Sequence, residues 1–499
     1  MSPPRSMPLA ELADVIGPER VVGLPVGEVR ALAYDSRTAE PGTLFFAIPG
    51  VHVDGHDFVL QAVAAGALAV VTEHELPDPD VPQLVVPRSR DALADAADAW
   101  FGHPSSTLHV IGITGTDGKT TTAFLAEAVL RAAGRKPGLI GTVEVGIGDQ
   151  RMANENRNTT PEALELQALL ADMVAAGNDS VVMEATSHGL AQARTRRVAF
   201  DVGVFTNLTS EHLEFHGSWE NYRAAKAMLF QQAPMSILNA DDPSIGHLRA
   251  AAAGRVVTYA LDNEADVRAS AVDARANGTS FLVSANDWSG HVNLQLPGSF
   301  NVYNALAVMA LAKAEGIDLD LAARALGDVP GVPGRMESVD MGQPFGVVVD
   351  YAHTADSLGK VLSVLRPLAR ERVIAVFGSA GERDPTKRPA MGRVSAELAD
   401  ITIVTDEDPR LEEPRAINEA IADGARGAGA IEGDSLFVID DREAAIRHAI
   451  GLAWDGDVIL LAGKGHEKTI IYGIEGRWWD EKEVARRALR DAGYGWTDG

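Results

Sequence analysis

The 499-residue sequence predicts an α/β protein of three domains: a small N-terminal α/β domain (1–105), a central P-loop ATPase-like domain on a mainly parallel sheet (106–335), and a C-terminal Rossmann-like domain (336–499). Three observations lead there. A chain this long exceeds what one hydrophobic core usually holds, so several domains of about 100 to 200 residues are expected. Short β-branched runs alternate with helical stretches along most of it, the pattern of parallel strands joined by crossover helices. One of those runs, in Leu108 to Thr122 (LHVIGITGTDGKTTT), leads straight into a glycine-bearing turn and then a helix.

In the first domain, strands are expected at Arg30 to Tyr34, Thr43 to Ile48, Ala67 to Thr72 and Gln83 to Val86, with helices between them. Asp35-Ser36-Arg37 and the loop Val51 to His56 read as ordinary turns. The central domain opens on Val110, Ile111 and Ile113, a buried parallel strand by its composition, followed by Gly115, Thr116, Asp117 and Gly118, which bend the backbone. Such a turn points successive N–H groups into one concavity at a helix N-terminus. Lys119 can then reach the outer phosphates of a nucleoside triphosphate, and Thr120 can ligate Mg²⁺. The strict P-loop pattern places glycine where this chain has Ile113, so the loop is a variant.

Ligands of such sheets bind beyond the carboxyl ends of the strands. There Ser180 to Met183 delivers Glu184, a carboxylate suited to a phosphate-bound metal. Asp201 to Thr206 leads into Asn207 to His212, and a helix over Trp219 to Phe230 carries Lys226. Read singly, each has an ordinary alternative: Glu184 a surface strand end, His212 a loop cap, Lys226 a solvated helix face. Asn158-Thr159-Thr160-Pro161 likewise precedes a helix, with a hydroxyl where an N-cap belongs. In the last domain strands are expected at Val347 to Asp350, Val373 to Phe377, Ile401 to Thr405, Leu436 to Ile439 and Val458 to Leu461. Polar, glycine-rich segments follow their ends. No G-x-G-x-x-G with a distant acidic partner occurs, which argues against a dehydrogenase.

Composition narrows the classes further. Lys and Arg total 44 against 70 Asp and Glu, a net charge of −26 that repels nucleic acid and anionic membranes at long range. No apolar run approaches the roughly 20 residues of a membrane span, and MSPPRSMPLAEL carries no apolar signal segment, so a cytoplasmic protein is expected. The absence of cysteine excludes disulfides, thiolate metal sites and cysteine nucleophiles.

Ordered blocks across the whole chain resemble the Mur ligases of peptidoglycan synthesis, in particular those adding the third amino acid. The blocks are TGTDGKTTT (114–122), NTTP (158–161), MEATSHGLAQAR (183–194), SEHLEFHG (210–217), YRAAKA (222–227), GSFNVYNALA (298–307), GRME (334–337), DYAHTADSL (350–358), GERDPTKRP (381–389), DEDPR (406–410) and GKGHE (463–467). The resemblance implies that ATP phosphorylates the carboxylate of UDP-MurNAc-L-Ala-D-Glu and that an amine then attacks the acyl phosphate. Chemically, a carboxylate is a poor electrophile until one oxygen becomes a phosphate leaving group, and the accumulating charge needs cations.

By the same resemblance, ATP would be held by Gly115, Thr116, Asp117, Gly118, Lys119, Thr120, Thr121, Asn301, Asn304, Arg335 and Asp350. Two Mg²⁺ sites are implied, on Thr120 and Glu184 and on His212 and Lys226, the last as a carbamate (N6-carboxylysine). Lys119, Glu184, His212 and Lys226 would be the catalytic set. Ser36, Asn158, Thr159, Thr160, Thr186, Gln192 and Arg194 would bind the UDP-linked acceptor. Arg383, Glu407, Asp408, Arg410, Gly463 and Glu467 would bind the incoming amino acid, with Arg383 on its α-carboxylate and Gly463 and Glu467 on its far ammonium. The partners are then small molecules only, and a monomer is expected.

Family members specific for meso-diaminopimelate typically read Asp-Asn-Pro-Arg where this chain has Glu407-Asp408-Pro409-Arg410. An anion replaces an amide donor. A like charge about 4 Å from a distal carboxylate costs on the order of 4 kcal/mol at an effective dielectric near 20, which favours lysine or ornithine. If Asp408 pairs with Arg410 or turns outward, diaminopimelate remains the alternative. Another Mur enzyme, a folylpolyglutamate synthetase or an ATP-binding regulator without ligase activity are the rival readings. The first domain and the DEDPR and GKGHE blocks argue against the first two.

Overall fold

The computed structural model describes residues 6–50, 53–77, 80–154, 158–209, 213–275, 278–286 and 288–495. Its contacts divide the chain into two compact units, Met1–Asp266 with Ala307–Asp318, and Val267–Leu306 with Leu319–Gly499.

The first unit contains a five-stranded sheet in the order Arg20–Val22, Gln83–Val85, Ala69–Thr72, Thr43–Phe46 and Ala31–Ala33, parallel except for its first strand. The helices Leu9–Ile16 and Ser89–Trp100 bury Leu9, Leu12 and Leu93 against Phe46, Val71 and Leu84. All four strands expected in this region form, each slightly shorter than expected.

The unit's larger sheet has a parallel centre in the order Pro137–Ile140, Ser180–Glu184, His109–Thr114, Val202–Phe205, Met235–Asn239 and Arg255–Ala260. Strands buried on both faces read as near-continuous apolar runs, and Ser180–Glu184 and Val202–Phe205 are buried along their whole lengths. Register matters more than order for function. Glu184 pairs with Ile113 and Phe205 with Thr114, so three neighbouring strands end level with one another. Their following loops open on one edge, which is where this class of sheet presents ligands.

In the second unit, a six-stranded sheet runs Glu337–Ser338, Gly346–Asp350, Val458–Ala462, Val373–Phe377, Ile401–Val404 and Leu436–Val438, with only the first strand antiparallel. Helices Ala355–Leu365, Lys387–Leu398 and Pro414–Gly427 cover one face; Arg442–Leu452 and Glu481–Asp491 cover the other. This is the Rossmann-like layer that the sequence predicts.

Strand–helix alternation fails between 267 and 294. There the chain forms an antiparallel meander, Val267–Arg275, Gly278–Ala285 and Trp288–Leu294. Its side chains alternate, Phe281, Val283 and Ala285 buried and Ser284 exposed, which is the period of a half-buried antiparallel strand. A second departure concerns Thr159 and Thr160. The helix Ala163–Ala175 starts after Glu162 and has no side-chain cap, so neither threonine caps it.

Candidate functional site

Gly115 and Gly118 shape the phosphate loop for different reasons. A Cβ on Gly115 would lie 1.8 Å from Thr206 Oγ1, and Gly118, the N-cap of helix Lys119–Ala132, has φ +81°. Ile113 remains inside its strand, fully buried, so the turn begins two residues after the position where a strict P-loop has glycine. The neighbouring strand end shapes the loop. Thr116 N–H donates to Asn207 O at 2.8 Å, Asp117 N–H to Asn207 Oδ1 at 3.0 Å, and Thr206 Oγ1 to Asp117 O at 2.6 Å. Thr116 Oγ1 accepts from Thr209 N–H at 2.9 Å and meets Tyr222 OH at 3.0 Å.

Two ammonium groups end on one carbonyl of this loop. Lys226 Nζ donates to Gly115 O at 2.6 Å and Lys119 Nζ to the same atom at 3.1 Å, with Thr116 O at 2.7 Å from Lys119. Lys226 is 2% exposed, which removes the solvated-face alternative, and its ammonium stands 4.7 Å from the centre of the Tyr222 ring. A pair of cations converging beside a helix N-terminus makes an anion-binding corner.

Glu184 is fully buried rather than a surface strand end, and both its oxygens are engaged. Oε2 accepts from Thr120 Oγ1 at 3.1 Å and Thr142 Oγ1 at 3.0 Å; Oε1 accepts from Thr142 N–H at 2.7 Å. Thr142 Oγ1 in turn meets Thr159 Oγ1 at 3.0 Å. Thr160 Oγ1 donates to Glu184 O at 2.9 Å and stands 2.9 Å from Thr186 Oγ1, which caps the helix Ser187–Ala191. Arg194 completes this side, donating to Thr160 O at 2.9 Å and Gln192 Oε1 at 2.6 Å and pairing with Glu162 at 2.8 Å.

Thr159, Thr160, Thr186, Gln192 and Arg194 are therefore gathered next to the phosphate loop. Thr121 is buried in the loop's helix, and Asn158 is exposed at the edge of the threonine cluster. Ser36 belongs to a different group, donating to Gln61 Oε1 at 3.2 Å. His212, with Ser210 and Glu211, lies outside the described residues.

The hard oxygens of Thr120 and Glu184 fit Mg²⁺. As a free ammonium Lys226 repels a cation; as a carbamate it presents oxygens to one. Among the described residues no group of three or more His, Cys, Asp or Glu gathers into a ready-made metal site.

The second unit holds the remaining expected residues. Asn304 Nδ2 donates to Asn301 Oδ1 at 3.0 Å, and Asn301 Nδ2 to Pro297 O at 2.8 Å. Burial pushes the Asp350 carboxyl above the ordinary range, partly offset by Arg335, and its oxygens accept from Met336 and Ala352 N–H at 2.8 Å each. The Arg335 guanidinium lies 5.0 Å from the centre of the Tyr351 ring.

Glu407, Asp408 and Glu467, expected together from sequence, stand around Lys464, which is not among the expected residues. Its fully buried Nζ contacts Asp408 Oδ1 at 2.9 Å and Glu467 Oε2 at 2.5 Å. Glu407 is buried with Oε2 unpartnered, and a Cβ on Gly463 would lie 2.9 Å from that oxygen. Burial raises the pKa values of Glu407 and Glu467 above the usual carboxylate range, with Lys464 pulling each part of the way back. Arg442, paired with Glu481 at 2.7 Å, donates to Asp406 O and Ala462 O and so ties the two strand ends together. Arg410 adopts φ +55°. Arg383 is exposed in the loop before helix Lys387–Leu398.

Thr142, Asn207, Tyr222, Lys464 and Arg442 are the participants that sequence reasoning did not assign. Tyr222 and Lys464 sit inside the YRAAKA and GKGHE blocks, and Asn207 directly after a strand end, so a signal was present. Thr142 and Arg442 act through tertiary contacts that no local pattern announces.

Three family descriptions match successive parts of the chain: "Mur ligase family, catalytic domain" over residues 28–101, "Mur ligase middle domain" over 113–312, and "Mur ligase, glutamate ligase domain" over 334–465. The UDP-N-acetylmuramyl-tripeptide synthetase of Roseiflexus sp. (strain RS-1) is 48% identical, covering 94% of this chain and 96% of that one. The UDP-N-acetylmuramoyl-L-alanyl-D-glutamate–2,6-diaminopimelate ligase of Geobacillus kaustophilus (strain HTA426) is 45% identical over 93% and 96% of the two chains. A solved structure of a ligase of that second description superposes with a TM-score of 0.69 at 30% identity, covering 98% of this chain and 100% of the other. MurF ligase from Thermotoga maritima, solved with ADP, shares the fold at a TM-score of 0.61 and 20% identity, over 93% and 97% of the two chains. With relatives matched over nearly their full lengths and all three successive family descriptions accounted for, this chain belongs to the Mur ligase family.

Proposed function

We propose that this ATP-dependent ligase adds the third residue to UDP-N-acetylmuramoyl-L-alanyl-D-glutamate, and that the residue is a diamino acid, lysine or ornithine ahead of 2,6-diaminopimelate. The observation that carries the reaction is the chain of contacts Thr120–Glu184–Thr142–Thr159, with Thr160 on the Glu184 carbonyl. It joins the phosphate loop to the side chains proposed for the acceptor, as direct phosphoryl transfer requires. The division into residues 1–105, 106–335 and 336–499 belongs to the same reading.

In this mechanism an acceptor carboxylate oxygen attacks the γ-phosphorus of ATP and ADP leaves. The amine of the incoming residue then attacks the acyl carbon, phosphate departs, and the ammonium proton passes to solvent. Loop N–H groups and Lys119 hold the phosphates, while the ordered threonines hold the acceptor in line. Thr120 and Glu184 would hold one Mg²⁺, and Lys226, carbamylated, a second together with His212. When bound, Mg²⁺ supplies neutralisation of the phosphate oxygens.

The diamine preference rests on new grounds. Lys464 and Ile471 N–H both engage Asp408 Oδ1, so the repulsion of a distal carboxylate is smaller than for a bare aspartate. What remains is the missing amide donor and a surplus of carboxylates, Glu407, Asp408 and Glu467 around one lysine, which suits an ammonium. A panel of lysine, ornithine and diaminopimelate with ATP and the UDP-linked acceptor tests this. ADP release dependent on both acceptor and amino acid, fastest with a diamine, is expected. A preference for diaminopimelate over both diamines overturns the specificity, and ADP release from ATP alone favours the regulator.

A further inference from the structure

The loop Asp406–Arg410 carries three of the proposed amino-acid contacts, Glu407, Asp408 and Arg410. A separate two-stranded hairpin, Thr469–Tyr472 paired with Glu475–Trp478, lies along it. Arg410 N–H donates to Ile471 O at 3.0 Å and Gly473 N–H to Arg410 O at 2.8 Å, forming a short parallel bridge. Ile471 N–H donates to Asp408 Oδ1 at 2.9 Å. Tyr472 OH donates to Asp406 Oδ2 at 3.0 Å, while Asn418 Nδ2 holds the other oxygen of Asp406 at 2.8 Å. One residue, Ile471, thus bonds Asp408 through its N–H and Arg410 through its carbonyl and fixes the spacing of the two side chains. Arg410 also needs that support, since φ +55° is costly for a residue with a Cβ.

We propose that this hairpin is the positioning element for amino-acid selection and that Tyr472 is the positioning residue that fastens it to the selecting loop. The proposal rests on the reading of Asp408 and Arg410 as amino-acid contacts. The helix Pro414–Gly427 anchors Asp406 from one side through Asn418, and the hairpin anchors it from the other through Tyr472. Loss of the second anchor frees Asp406 at the start of the loop and leaves the Ile471 and Gly473 bonds alone to set where Asp408 and Arg410 stand. The Tyr472 ring, with the Arg477 guanidinium 4.5 Å from its centre, keeps its packing when only the hydroxyl is removed.

Steady-state kinetics of the full-length Tyr472→Phe enzyme test this, with Arg410→Ala and Asp408→Asn measured alongside. The expected result is a KM for the amino acid raised about threefold to tenfold and a changed lysine-to-diaminopimelate ratio of kcat/KM, with KM for ATP and the UDP-linked acceptor within about twofold. An amino-acid KM and ratio like wild type in Tyr472→Phe, while Arg410→Ala and Asp408→Asn shift them, overturns the hairpin's role alone. If all three variants leave the amino-acid parameters unchanged, the assignment of the loop to the amino acid falls, and the hairpin's role with it. Equal rises in all three KM values mark general loosening and also overturn it.

Discussion

Lys226 joins burial, charge and loop geometry in a single side chain. Its ammonium shares the Gly115 carbonyl with Lys119, so replacing it removes a cation, or its carbamate, without breaking the strand that shapes the loop. Lys226→Ala is expected to lower ligation about a hundredfold to a thousandfold while the thermal shift on adding ATP survives; near-normal ligation would remove the lysine from the mechanism. Asp408 allows a finer test. Asp408→Asn restores an amide donor and leaves Lys464 its Glu467 partner, so kcat/KM for diaminopimelate relative to lysine is expected to rise about tenfold to a hundredfold, and an unchanged ratio contradicts the donor argument. His466 carries a pH signature. Burial, with Arg335 adding to it, lowers its pKa from 6.5 to about 3, so below pH 6.5 the unfolded chain takes up a proton that the folded chain refuses. Stability is then lost as pH falls from 6.5 toward about 3, and His466→Gln is expected to flatten that slope in denaturant titrations at several pH values. An identical slope in the variant would place the titration elsewhere.

At the scale of elements, the level ends of three strands decide where chemistry can occur. Ser180–Glu184, His109–Thr114 and Val202–Phe205 deliver Glu184, the phosphate loop and the Thr206–Asn207 brace to one edge. The loop after Pro137–Ile140 adds Thr142, whose hydroxyl and N–H occupy both oxygens of Glu184. Thr142→Val keeps the shape and the N–H but removes the hydroxyl. A several-fold fall in kcat with weaker Mg²⁺ dependence is expected, and wild-type behaviour in a metal titration would show that Glu184 orients itself. The strands and their order of appearance were legible in sequence because buried parallel strands are short apolar runs with polar ends. The meander over 267–294 was not read, since its alternation is diluted by Ala and Ser and yields little hydrophobic contrast. Thr160 shows a second limit. A hydroxyl just before a helix suggests a cap, yet the Glu184 carbonyl, about 24 positions away in sequence, is the partner it takes.

For the whole molecule, a charge of −26 opposes long-range attraction of polyanions, yet phosphate capture needs only a local turn with Lys119 at a helix N-terminus. No described helix is long and apolar enough to cross a membrane. The proposed site residues run from Ser36 to Glu467, and the two half-reactions draw on different stretches. In the proposed reading phosphoryl transfer draws on the loop and the threonine cluster, with Asn301, Asn304, Arg335 and Asp350 on ATP, whereas aminolysis draws on Arg383 and the Lys464 carboxylate group. The halves should therefore separate by mutation. With ATP, the UDP-linked acceptor and hydroxylamine but no amino acid, an acyl phosphate is trapped as a hydroxamate. If Arg383, exposed in its loop, acts only on the incoming amino acid as proposed, Arg383→Ala is expected to keep hydroxamate formation within about threefold while its amino-acid KM rises tenfold or more, the scale of a lost charge-assisted contact. Lys119→Ala is expected to lose both, because its ammonium is the loop's proposed contact with the outer phosphates. Equal loss of hydroxamate in the two variants would mean that the amino-acid residues also govern phosphoryl transfer, and the assignment of one half-reaction to each stretch of chain would fail.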